Sequence, residues 1–98
     1  TSVEPISSEI PTQLSLSQIY PNPFNPDTKI RFEINKSDFV KLTVFDITGR
    51  TLAILVNEGL SPGVYEITWD ASHRPSGLYY YRLETQSISE TKKMILLK

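Results

Sequence analysis

The chain has 98 residues, 39% of them hydrophobic, with ten Lys and Arg against eleven Asp and Glu for a net charge of -1. That length suits one domain burying about 60–65% of its unfolded surface, and the near-neutral charge lacks the basic footprint that draws proteins to nucleic acid or anionic lipid. The absence of cysteine removes disulfides, thiolate metal sites and cysteine nucleophiles, and no run approaches the ~20 apolar residues of a membrane-spanning helix.

Residues 1–13 have linker composition, with Ser, Glu, Pro5 and Pro11 around scattered apolar side chains, and are expected to be extended or mobile. The start at Thr1, without the basic-then-apolar layout of a signal peptide, suggests a piece of a longer precursor. From Leu14 onward, residues 14–98 read as the folded domain, built of short strands with no sustained helical periodicity. Leu14 and Leu16, and Tyr20 if the strand extends that far, form the first. The Pro21-Asn-Pro-Phe-Asn-Pro26 segment ends it, because three prolines cannot sustain a ladder; it is expected to be a rigid turn plugged by Phe24.

Strict alternation in Thr28-Lys-Ile-Arg-Phe-Glu-Ile34 sends Ile30, Phe32 and Ile34 inward. The next run places Val40, Leu42 and Val44 inward and ends in Asp46-Ile-Thr-Gly-Arg50, a hairpin turn whose Gly49 supplies a positive φ. A strand over residues 51–56 returns. Residues 58–63 are rich in turn formers, and the strand over 64–70 then alternates Tyr65, Ile67 and Trp69 against Glu66 and Thr68. After a turn at 71–77, Tyr79, Tyr81 and Leu83 share one face and Tyr80 lies on the other, near the surface. Seven strands at this spacing predict an all-β, Ig-like antiparallel sandwich of two sheets.

The last strand differs from the others. Met94, Ile95, Leu96 and Leu97 stand in succession between lysines, whereas a strand buried on one face alternates apolar with polar. Both faces of this strand are therefore expected to be covered, by the domain or by a partner.

Little in the chain points to catalysis. His73 is the single histidine, and although Asp70 and Ser72 adjoin it, residues of one turn do not converge as a catalytic triad must. Asp27, Asp38, Asp46 and Asp70 follow no metal-ligand spacing and read as turn formers. The four glycines are too dispersed for a phosphate loop. Neither cofactor nor metal is expected. The aromatics Trp69, Tyr65, Tyr79 and Tyr81 are residue types that stack on sugars, but their shared faces with Ile67 and Leu83 place them in the core.

Tyr20-Pro-Asn-Pro-Phe-Asn-Pro26, Val40-Lys-Leu-Thr-Val-Phe-Asp-Ile-Thr-Gly-Arg50, Ser61-Pro-Gly-Val-Tyr65, Ser76-Gly-Leu-Tyr-Tyr-Tyr-Arg-Leu83 and Thr91-Lys-Lys-Met-Ile-Leu-Leu-Lys98 occur in this order. Together they resemble the C-terminal sorting domain of type IX secretion cargo in Bacteroidetes-type bacteria, the Por secretion tail family, over residues 16–98. The Ig-like domain of flagellar hook-capping proteins is similar in the hairpin and in the Trp-Asp to Ser-Gly stretch. This chain departs from that longer version in having only residues 71–75 between Asp70 and Ser76, and the closing Lys-Met-Ile-Leu-Leu-Lys favours secretion.

The resemblance implies a non-catalytic domain that directs an upstream cargo, through the periplasm and outer membrane, to the cell surface or the medium. It implies recognition by the type IX translocon and removal by a surface transpeptidase that cuts in the linker, in the region of residues 1–14. Gly77, Tyr79, Lys92, Lys93, Met94, Ile95, Leu96, Leu97 and Lys98 are carried over as recognition determinants. In the isolated domain the terminal strand is also available for self-association. Two other readings stay open at this stage. One is a carbohydrate-binding or adhesive module of a polysaccharide-degrading enzyme, which requires an exposed aromatic strip, and the other is a structural module of flagellar or periplasmic type.

Overall fold

All the regular structure in the computed structural model, which describes residues 4–7, 14–17, 19, 22, 27–86 and 88–97, is β-strand. The strands are β1 (Glu4–Ser7), β2 (Ser15–Leu16), β3 (Asp27–Ile34), β4 (Asp38–Phe45), β5 (Thr51–Leu60), β6 (Gly63–Asp70), β7 (Gly77–Glu84) and β8 (Ser89–Leu96). Among the described residues, β2 to β8 are the seven strands the sequence predicts. They form antiparallel sheets ordered β6-β3-β2 and β5-β4-β7-β8, and β1 widens the first by pairing with the outer edge of β6.

Alternation explains the core. Ile30, Phe32 and Ile34 of β3 face Val40, Leu42 and Val44 of β4 across the sandwich, and all six are fully buried. Strand β6 adds Tyr65, Ile67 and Trp69, and β7 adds Tyr79, Tyr81 and Leu83. Phe32 stacks on Tyr65 at 5.5 Å, and Trp69 meets Tyr79 edge-on at 5.5 Å, geometries that aromatic quadrupoles favour. Trp69, Tyr65, Tyr79 and Tyr81 are therefore core residues and do not supply the exposed strip that sugar stacking requires.

Each buried tyrosine hydroxyl finds a backbone partner, as burial of a polar group demands. Tyr65 donates to the Ser61 carbonyl and Tyr79 to the Pro75 carbonyl, both at 2.6 Å and four residues back. Tyr81 reaches further, donating to the Ser17 carbonyl at 2.8 Å and accepting from the Ile19 amide at 3.2 Å. That pair of bonds ties the segment after β2 to the centre of the opposite sheet. Burial pushes the Tyr81 phenol up to about 12.

The β4–β5 hairpin closes on Asp46, whose carboxylate accepts from the Thr48 hydroxyl, the Thr48 and Arg50 amides and Arg50 Nε. Gly49 has φ 88°, the left-handed conformation that this turn needs and that a Cβ disfavours. The Thr48 hydroxyl, joined by the Arg50 and Thr48 amides and the Arg50 charge, holds the Asp46 carboxyl near 2.

One expectation changes. Residues 58–60, read as part of a turn, continue β5, with Glu58, Gly59 and Leu60 opposite Val40, Phe39 and Asp38. Ladder pairing with β4 overrides the low strand preference of Gly59, leaving Ser61 and Pro62 to turn the chain. The amino-terminal segment, expected to be extended or mobile, is extended at Glu4–Ser7. Glu4–Ser7 forms part of a sheet, in register with Glu66, Tyr65 and Val64 and with an irregularity between Pro5 and Ser7. Tyr20, Phe24, the prolines of the 21–26 segment and Lys98 lie outside the described residues.

Candidate functional site: the outer face of the last strand

Strand β8 is an edge strand, paired on one side with β7 from Gly77↔Leu96 to Glu84↔Ser89. Its side chains alternate with period two, so Met94 and Leu96, 0% and 1% exposed, enter the core while Ile95 and Leu97 remain 40% and 54% exposed. Of the two faces expected to be covered by the domain or by a partner, the domain covers the one with Met94 and Leu96, and the described residues leave the one with Ile95 and Leu97 open.

The adjacent lysines also part. Lys92 lies on the inward side at the rim, half-buried, with Nζ 3.8 Å from Glu90 Oε2. The other oxygen of Glu90 accepts from the Leu16 amide at 3.1 Å and closes the seam between β8 and β2. Lys93 is exposed on the outer face beside Ile95.

Strand β7 extends that face. Leu78 lies opposite Ile95, Tyr80 opposite Lys93 and Arg82 opposite Thr91, while Phe45 of β4 lies opposite Tyr80. The Arg82 guanidinium sits 4.4 Å from the centre of the Phe45 ring, a cation–π contact. Phe45, Ile47, Tyr80, Arg82 and Thr91 line a shallow hollow of about 170 Å³. The outer face is therefore a mixed surface of aliphatic, aromatic and cationic groups. Sequence reasoning singled out Tyr80 but missed Leu78, Phe45 and Arg82, since only the strand register places them on one outer face with β8.

The open edge of β8 is partly engaged. The Ile95 amide donates to Asn22 Oδ1 at 3.0 Å, so a residue of the proline-rich segment meets a donor that would otherwise face outward. Capping of this kind blunts an edge against unplanned strand pairing.

Comparison with known families identifies the chain. The chain matches the model of the secretion system C-terminal sorting domain over residues 18–97. It belongs to that family. The protein is thus a C-terminal sorting domain of type IX secretion cargo, a non-catalytic signal that interacts with secretion machinery and accompanies secreted or surface cargo. No curated protein and no solved structure matches the chain.

Within this sorting domain the carried-over positions fall into two groups. Gly77, Tyr79, Met94 and Leu96 build the fold. Gly77 opens β7 opposite Leu96 with φ 154°, and Tyr79, 5% exposed, lies opposite Met94. Lys93, Ile95 and Leu97 are on the surface, and Lys92 is tied to Glu90. The Asp70, Ser72 and His73 cluster is a solvated turn, in which the Ser72 amide donates to Asp70 Oδ1 at 2.9 Å and, with the Ser72 side chain, lowers the Asp70 pKa.

Proposed function

We propose that the type IX translocon reads the sorting domain in its folded state, through the outer face of β8. Lys93, Ile95 and Leu97 make the direct contact, supported by Leu78, whereas Gly77, Tyr79, Met94 and Leu96 act by holding the strand in place. The observation that carries this reading is the alternation of β8, which leaves Ile95 and Leu97 exposed beside core residues. Apolar side chains in an exposed cluster mark interaction surfaces, and the nearby cations add charge selection. Because Asn22 engages the Ile95 amide, the face offers more accessible contact than the edge.

The cargo follows the periplasm and outer membrane to the surface, where a transpeptidase severs the linker in the region of residues 1–14. A periplasmically targeted fluorescent protein fused ahead of residues 1–98 tests recognition in a type IX-competent host. The double variant Ile95→Ser/Leu97→Ser should melt within a few degrees of the parent yet lose most surface or released fluorescence. Export at the parental level by that folded double variant would overturn the reading.

A further inference from the structure

We infer that the outer edge of β6 is a strand-docking site for the chain's own lead-in peptide, and that release of this peptide gates its proteolytic processing. The gating half rests on the linker cleavage proposed above; the docking half stands on the fold. In the structure Glu4, Pro5 and Ser7 pair with Glu66, Tyr65 and Val64, on the side of β6 away from β3. An extended peptide added to a sheet edge gains main-chain hydrogen bonds and leaves a protease only one backbone edge to engage.

Val64 supplies a second observation. Alternation puts it on the opposite face of β6 from Tyr65, Ile67 and Trp69, and it is no part of the inter-sheet core cluster. Even so it is 3% exposed, at the register position of Ser7. Val64 is flanked within the sheet by strands on both sides, β3 at Glu33 and β1 at Ser7, so the docked β1 backbone helps to close off a side chain that would otherwise stand at the sheet edge.

The docking is built to release. Strand β1 has four residues against eight in β3, the other neighbour of β6. Pro5 brings no amide donor, and the pairing is irregular between Pro5 and Ser7. The register sets the backbone of position 4 across from Glu66. Glu66 is held from the other side by Lys29, 3.6 Å away, and lies opposite Arg31 of β3, so it remains in place whether or not β1 is docked. Cleavage that requires an open segment follows the population of the opened form when opening is fast.

The chain lacks cysteine, so a single engineered pair tests docking cleanly. Directly opposite residues on antiparallel strands fall within disulfide reach. The full 98-residue Glu4→Cys/Glu66→Cys protein should form its bridge within the monomer, and subtilisin cleavage at residues 4–7 should then slow by about tenfold or more relative to the same protein reduced. Val64→Ser, with the inter-sheet core untouched, should speed that cleavage about threefold without abolishing the cooperative melt. Failure to form the bridge within the monomer, or equal cleavage of bridged and reduced protein, would overturn docking. In the export host, bridged protein that reaches the surface should remain unprocessed, and processing at the parental rate with the bridge intact would overturn gating. Lack of processing in the parent itself would refute linker cleavage and gating together, while the subtilisin result would still decide docking.

Discussion

Replacing Tyr81 by Phe removes one hydroxyl that serves two backbone groups, the Ser17 carbonyl and the Ile19 amide. Ile19 is itself buried, so loss of the hydroxyl leaves polar groups without a partner in the interior, at a cost of about 1–3 kcal/mol. Urea unfolding should show that loss, and hydrogen exchange at the Ile19 amide should accelerate. Asp46 provides a pH-dependent counterpart. Its carboxyl is held near 2 against 3.8 for a free aspartate, so the folded state favours the charged form. Its contribution is complete above about pH 4 and fades as the pH falls toward 2. Asp46→Asn should therefore flatten the dependence of the melting temperature on pH between 4 and 2, and carbon NMR of the parent should show Asp46 titrating near 2. The sequence displayed the turn through Asp46, Gly49 and Arg50, because those residue types carry the local chemistry of a hairpin. It did not show where the tyrosine hydroxyls end, since Tyr81 and Ser17 are separated by most of the chain and meet only through packing.

At the scale of the element, β8 joins two demands in one strand. Met94→Ala or Leu96→Ala should destabilise the domain by about 2–5 kcal/mol, the range for truncating a buried aliphatic side chain. Ile95→Ser or Leu97→Ser should stay within about 0.5 kcal/mol, as surface changes do, and a denaturant series on the four single variants checks the contrast. Period-two alternation made the inward faces of β3, β4, β6 and β7 legible, because apolar and polar residues alternate there one for one. It failed for β8, where four apolar residues in a row hide the phase. The neighbouring ladder supplies it: once Gly77 pairs with Leu96, the faces of residues 94–97 follow. The end of β5 was missed for a similar reason, since Gly59 and Leu60 are strand residues only by virtue of their pairing with β4.

For the whole molecule, most contacts join residues distant in sequence. Strand β3 pairs with β6 and β4 with β7, with other strands intervening in the chain. Closing such long loops before their contacts form slows folding. Stopped-flow refolding should accordingly take milliseconds to seconds rather than microseconds, and a microsecond phase that carries the full amplitude would contradict this topology. The fold class was readable from the number and spacing of strands; the division into sheets was not, because it depends on which edges meet. The radius of gyration, 13.0 Å, is that expected of a domain of about 100 residues.

The strand order also separates the two ends of the sandwich. Strand β2 at one edge of the first sheet is joined to β8 by the Leu16–Glu90 bond, while β1 lies at the other edge, beyond β3 and β6. Three strand spacings make that distance about 14 Å. Strand β1 thus lies on the flank of the sandwich away from the seam that joins β2 to β8. The lead-in strand and the proposed recognition surface therefore occupy different edges of the sandwich, and engaging one does not compete for the backbone of the other.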